Sequence, residues 1–230
     1  IELIFDNCRK KNKHISGIII EPIQGEGGVI PGEIDFFKKL RKLCSKDDAL
    51  LILDEVQSGV GRTGKMWGYE NLGIEPDGFT LAKGLGGGHA IGALLVNKKA
   101  NIFAPGDHAS TFGGNPFACK AALTVLEEIK RRNLLSNVIS RGKQLENGLN
   151  EITNQFPNII YGVRGIGLLQ GLVLRKDTID SKAITLKAFE KGLLVVPAGE
   201  NVVRIVPPLI ISSNEIQQLL KKLTLIFKEL

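Results

Sequence analysis

Cysteine is scarce, at three residues in 230, and Cys8, Cys44 and Cys119 stand far apart without a CxxC spacing. So odd and scattered a set argues against a disulfide framework and a zinc site and fits a reducing compartment; no metal centre is expected. Long apolar runs are also missing. None approaches the roughly 20 residues that span a bilayer, so no membrane partner is expected. No charged-then-apolar leader opens the chain, and a cytoplasmic protein is expected. Repeats and low-complexity tracts do not appear. The formal charge of +6 permits acidic partners. The lysines are scattered, however, and the run from Lys10 to Lys13 is too short for a nucleic-acid arm, so no nucleic-acid partner is expected.

What is present suits a soluble globular protein of one or two domains, with 43% hydrophobic and 23% charged residues. The opening IELIFDNCRKKNKH reads as an amphipathic stretch entered midway, which predicts a piece of a longer chain. Gly17 to Glu21 and Leu50 to Leu53 are short apolar runs. Between them Phe36, Phe37, Leu40, Leu43 and Cys44 form one helical stripe. This strand–helix–strand pattern predicts an α/β domain with a mixed, mostly parallel sheet. Two further strands are expected at Phe79 to Ala82 and at Ile91 to Val96.

A long helix is predicted from Asn115 to Arg132, and the character of the chain changes after it. The boundary is placed there, giving a large domain over 1–132 and a smaller α+β domain over 133–230. The smaller domain should contain helices at Leu134 to Phe156 and Ser181 to Lys191, with extended runs at 162–174, 193–196 and 202–206. Its last helix should open on a capping box of Ser212 and Glu215, with Ile216, Leu219, Leu220, Leu223 and Phe227 inside.

The stretch LLILDEVQSGVGRTGK, Leu50 to Lys65, raises the functional question. A strand that ends in Asp54 and Glu55 buries carboxylates at a cost unless something cationic meets them. GVGRTGK matches the phosphate loop GxxxxGK, but Met66 follows where Ser or Thr is required, and turn-rich WGYENLGIEPDG replaces the helix that should begin there. GLGGGHAIG fails the GxGxxG spacing. Three strands end in Glu21, Asp54 and Lys83, and in open α/β sheets ligands bind beyond the carboxyl ends of strands. Most lysines are surface residues; a lysine amine partly desolvated in a cleft instead forms Schiff bases with carbonyl cofactors. If that carbonyl belongs to pyridoxal phosphate, a carboxylate such as Asp54 is needed to keep the pyridine nitrogen protonated. Strand alternation would turn Val56 to the same face as Asp54, against the ring, with Gln57 near the phenolic oxygen.

DEVQSGVGRTGK followed by TLAKGLGGG resembles the class III, fold type I aminotransferases that use pyridoxal 5'-phosphate. IIIEPIQGEGGVIP at Ile18 to Pro31, HASTFGGNP at His108 to Pro116 and VVRIVPPL at Val202 to Leu209 extend the resemblance in register through the chain. It implies the carboxy-terminal part of a large cofactor-binding domain followed by a small domain. It also implies Lys83 as Schiff-base lysine and general base, and Asp54 on the pyridinium nitrogen. Glu55, Val56 and Gln57 would line the cofactor, and Thr111 would reach the cofactor phosphate of the other subunit in a homodimer. Ser110 would touch the substrate, Arg204 would take a substrate carboxylate, and Glu21 would pair with Arg204 when the amine donor offers none there. His108 is read as structural.

Within the family the pattern is most similar to members that move an amino group from N-acetylornithine to 2-oxoglutarate in arginine biosynthesis. Ornithine, succinylornithine and γ-aminobutyrate stand as alternative donors. The family's amino-terminal segment is not in this sequence, so weak or no cofactor retention is expected from these residues alone. A non-catalytic fragment and a nucleotide-hydrolysing loop are the competing readings.

Overall fold

The structure, a computed structural model, describes residues 1–230. In chain order the elements are α1 (Glu2–Lys10), β1 (Gly17–Ile20), β2 (Ile23–Gln24), β3 (Ile30–Pro31), α2 (Ile34–Lys46), β4 (Leu50–Asp54), β5 (Gly78–Leu81) and β6 (Ala93–Val96). They continue as α3 (Pro116–Arg131), α4 (Leu134–Gln155), β7 (Ile160–Ile166), β8 (Leu169–Leu174), α5 (Ser181–Glu190), β9 (Val196–Ala198), β10 (Val202–Ile205) and α6 (Ser213–Lys228). No helix is long and apolar enough to cross a membrane.

Two units divide the chain, and they interleave in sequence. The first holds Ile1–Pro22, Gly32–Val60 and Trp67–Glu127; the second holds Ile23–Pro31, Gly61–Met66 and Glu128–Leu230. A single cut at Arg132 therefore misses two short segments. The reasons are long-range contacts: the β2–β3 hairpin buries Ile23 and Val29 with Leu169 of the second unit, and Arg62 donates to the carbonyls of Leu168 and Pro207.

The first unit is built on a sheet of order β1-β4-β5-β6. β4 lies parallel to both β1 and β5, and β6 returns antiparallel to β5. Alternation along β4 buries Leu51 and Leu53 completely, and α2 lays Phe37, Leu40 and Cys44 on them. Each such leucine contributes about 1.5–3 kcal/mol by leaving water. Asp77 fastens the amino-terminal ends of these strands. Its carboxylate accepts from Leu51 N (2.8 Å), Arg41 Nη1 (2.6 Å) and Asn97 Nδ2 (3.0 Å). Burial works against that charge, but the Leu51 amide and the Arg41 guanidinium outweigh it and hold the carboxyl below its usual range. With one end of the sheet pinned, the opposite end is left for chemistry.

The second unit is an antiparallel sheet of order β7-β8-β10-β9. Val203, Ile205, Leu172 and Leu174 bury against α4, α5 and α6. Period-two alternation then sends Arg204 and Gly171 to the opposite face. The expected capping box opens α6: Ser212 Oγ accepts from Glu215 N at 3.3 Å, and Ser212 N donates to Glu215 Oε2 at 2.8 Å. The run at Leu193 becomes a strand only from Val196, because Gly192 in the left-handed region (φ +66°) closes α5.

Candidate active site

Asp54 ends β4, where its register partner on β5 is Thr80. Its Oδ1 accepts from Val56 N and from Thr80 Oγ1, each at 3.0 Å. Both bonds fall on one oxygen, so Oδ2 keeps its lone pairs for a cation. The strand stops at Asp54, and Val56 lies in a turn. Its placement therefore comes from that turn rather than from strand alternation, and its visible task is the amide that orients Asp54. Gln57 follows in the same turn, half-buried.

Glu55 is corrected by the structure. The residue is 1% exposed, and its carboxylate is occupied by three donors: Ser58 Oγ (2.8 Å), Gly68 N (2.7 Å) and Tyr69 N (2.6 Å). Burial pushes its carboxyl up, against the lowering pull of those donors. The family resemblance implies that Glu55 lines the cofactor beside Asp54, yet its side chain ties the post-strand turn to the loop at Gly68. A Cβ on Gly68 would stand 2.8 Å from Glu55 Oε2, so a glycine is required there. Replacement of Glu55 by alanine strands two buried amides. It should destabilise the protein by about 2–4 kcal/mol, read from the urea midpoint; a midpoint equal to wild type contradicts the anchoring role.

Lys83 lies three residues beyond Thr80, at the same end of the adjacent parallel strand. Its backbone has φ +43°, a left-handed conformation that costs a non-glycine residue about 1–2 kcal/mol. Strain of this kind gathers at functional sites, because the surrounding structure must over-determine it. Lys83 opens a short 3-10 turn, Lys83–Gly86, and lines a cleft of about 730 Å³ with His89, Ile91, Phe112 and Gly114. His89 packs edge-on against Phe117 at 4.7 Å. Ser110 and Thr111 are exposed, and Ser110 Oγ accepts from Gly113 N at 2.9 Å. In the same stretch of chain Ile102, Phe103 and Phe112 are 77%, 58% and 81% exposed. The set fits an aldehyde-bearing heteroaromatic cation, since a carboxylate oxygen without a protein donor and an amine on an open cleft stand at one sheet end.

In the second unit Arg204 is nearly buried, and its Nη1 meets Glu26 Oε1 at 2.7 Å. The sequence reading gave this pairing to Glu21, which follows β1 in the first unit. The second unit itself supplies Glu26, on the turn of the β2–β3 hairpin. The flanking GEGG was the available signal, since glycines between two short apolar runs mark a hairpin.

The phosphate-loop lookalike has a structural task. Gly59–Lys65 forms turns and bends, and no α-helix follows them, only a short 3-10 turn at Gly68–Asn71. Arg62 donates to the carbonyls of Leu168 (3.2 Å) and Pro207, and burial lowers its pKa to about 10.

The sequence model described as aminotransferase class-III matches residues 1–227. The chain is 71% identical to the acetylornithine aminotransferase of Prochlorococcus marinus subsp. pastoris, over all of this chain and 55% of that protein. It is 60% identical to the acetylornithine aminotransferase of Parasynechococcus marenigrum, with the same coverage. The chain thus spans about half the length of these curated relatives. Among solved structures, N-acetylornithine aminotransferase from Stenotrophomonas maltophilia superposes with a TM-score of 0.85 at 37% identity, covering 99% of this chain and 60% of that one. Ornithine aminotransferase from Plasmodium yoelii gives 0.90 at 30%, covering 99% and 60%. The ornithine aminotransferase from Toxoplasma gondii crystallised with oxidised glutathione, which has partial occupancy of PLP at its active site, gives 0.89 at 31%, covering 97% and 53%.

Proposed function

The chain belongs to the class-III aminotransferases, and from that premise we propose that the complete protein moves the δ-amino group of N-acetylornithine to 2-oxoglutarate, giving N-acetylglutamate semialdehyde and glutamate. The observation that carries this reading is the pairing of Asp54, with its spare Oδ2, and the strained Lys83 at the ends of neighbouring parallel strands. Pyridoxal phosphate supplies, when bound, an aldehyde that takes up amines and a protonated ring that accepts the electron pair of a substrate carbanion. Asp54 Oδ2 would keep the ring nitrogen protonated, while Thr80 and Val56 hold that carboxylate from rotating. The Lys83 amine would hold the cofactor's carbonyl and move the proton at the substrate carbon. Val56 would back the ring, Gln57 would serve its phenolic oxygen, and Ser110 would touch the substrate.

Arg204 takes the carboxylate of the oxoacid, a task for which a guanidinium fork is suited and an ammonium is not. Glu26 occupies Arg204 while the amine donor is bound and leaves it when the dicarboxylate arrives. Thr111 reaches the cofactor phosphate of a partner subunit, and the apolar side chains exposed beside it are the surface a homodimer covers. The reaction runs in the cytoplasm.

Ornithine is the rival donor, since the Plasmodium and Toxoplasma structures bear that name. Support for the acetylated donor comes from the curated acetylornithine enzymes, which reach 71% identity, and from the solved Stenotrophomonas maltophilia structure at 37% against 30–31% for the ornithine structures. A panel of N-acetylornithine, ornithine, succinylornithine and γ-aminobutyrate with 2-oxoglutarate tests the proposal on the complete protein. N-acetylornithine should give the highest kcat/KM. A higher value for ornithine reassigns the donor, and no glutamate from any donor removes the function.

A further inference from the structure

The second unit's sheet carries a row of three residues on the face opposite its core. Arg164 on β7 and Arg204 on β10 are both register partners of Gly171 on β8, so all three share that face. Strands about 4.8 Å apart put the two arginine Cα atoms roughly 10 Å from each other. Gly171 leaves the gap open, and Val29 fills it: a Cβ on Gly171 would meet Val29 Cβ at 3.0 Å. The turn from Gly25 to Val29 is thereby seated between two guanidinium groups.

Each arginine holds a different part of that turn. Arg204 takes the Glu26 side chain at 2.7 Å, and Arg164 Nε donates to the Gly28 carbonyl at 2.7 Å. Gly199 N closes the other side by donating to the Glu26 carbonyl at 2.8 Å. Gly28 has φ +115°, and a Cβ there would stand 2.6 Å from Arg164 Nη2, so the glycine is what lets the guanidinium reach the backbone. No carboxylate pairs with Arg164. Drawing an arginine half out of water for one neutral carbonyl is a weak device for stability, but it fixes the backbone two residues from Glu26.

We propose that Arg164 is a positioning residue: it clamps the Gly25–Val29 turn so that Glu26 stands on Arg204, and so sets how strongly Glu26 competes with a substrate carboxylate for that guanidinium. This rests on the aminotransferase reading above. A tethered carboxylate competes through its effective concentration, which falls when the tether loosens. Loosening should therefore favour the dicarboxylate acceptor without helping the amine donor.

The test compares Arg164→Met and Arg164→Lys with wild type. Amide exchange is read on the substrate-free complete protein. Arg164→Met should accelerate exchange across Gly25–Val29 while the β8 and β10 amides keep their protection. Arg164→Lys, which retains a donor, should restore much of the difference. In steady-state kinetics, Arg164→Met should lower the KM for 2-oxoglutarate about three- to tenfold and leave the KM for the amine donor unchanged or higher. Unchanged exchange in the turn, or the two KM values moving by one common factor, overturns the proposal. A wild-type protein that transfers no amino group defeats the functional reading instead, and the exchange result then still decides whether Arg164 holds the turn.

Discussion

Replacing Lys83 with alanine in the complete protein should abolish amino transfer, with kcat falling by at least about 10⁴-fold. The chemistry asks one amine for two tasks, holding the cofactor carbonyl and shuttling a proton, and the side chain that remains can do neither. Compared without cofactor, the fold should be indifferent to the change. Lys83 is exposed, and alanine meets the positive φ of 43° with a smaller side chain. A surface substitution usually stays within about 0.5 kcal/mol, so the unfolding midpoint should move by no more than about 2 °C. Borohydride treatment of wild type should leave the cofactor's mass on the peptide containing Lys83, and the variant should show none. Turnover within tenfold of wild type, or a mass increment on another lysine, assigns the amine elsewhere.

Much of the fold was legible because it is written in short-range pattern. The stripe Phe37, Leu40 and Cys44 gave α2, and the apolar run before Asp54 gave β4 with its alternation of buried and half-buried residues. Ser212 and Glu215 announced α6 three residues apart. The β2–β3 hairpin left only the glycines of GEGG as a signal: its strands are two residues each, too short for a period of two to register. That miss carried a second one with it, since the same hairpin belongs to the second unit by burial of Ile23 and Val29 against Leu169. A boundary drawn from local composition cannot register such a long-range contact.

The candidate site was legible where strands end and obscure where turns take over. Asp54 and Lys83 stood out as ionisable groups closing apolar runs. Glu55 was misread because the family resemblance carries DEVQ over as one block, whereas successive residues diverge; its partners at Gly68 and Tyr69 lie a loop away. The two glutamates of EPIQGEGG are five residues apart, and only the closed turn reveals which of them the second unit itself offers to Arg204. Arg62 sat inside a motif that pointed to phosphate, and its acceptors are backbone carbonyls more than 100 residues distant in sequence.

Asp54→Asn is the more discriminating variant, because it should preserve the structure and remove one charge. The two donors on Oδ1, Val56 N and Thr80 Oγ1 at 3.0 Å each, oblige the asparagine to keep its oxygen in that position. Its amide nitrogen then stands where Oδ2 stood and points an N–H at the protonated ring nitrogen. A breaking of a buried ion pair of this kind costs about 3–5 kcal/mol, which at 1.36 kcal/mol per factor of ten is a loss of about 10²–10⁴ in rate. The unfolding midpoint should hardly move, since both Oδ1 bonds survive. The pH profile separates this electrostatic role from a packing role. Without the carboxylate the ring nitrogen loses its proton more readily, so the protonated fraction, and the residual rate with it, should rise as pH falls. Wild type should not show that acid-side rise, because Asp54 keeps the nitrogen protonated across the working range. A near-normal rate with an unchanged profile in Asp54→Asn removes the electrostatic pairing on which the assignment of this site depends.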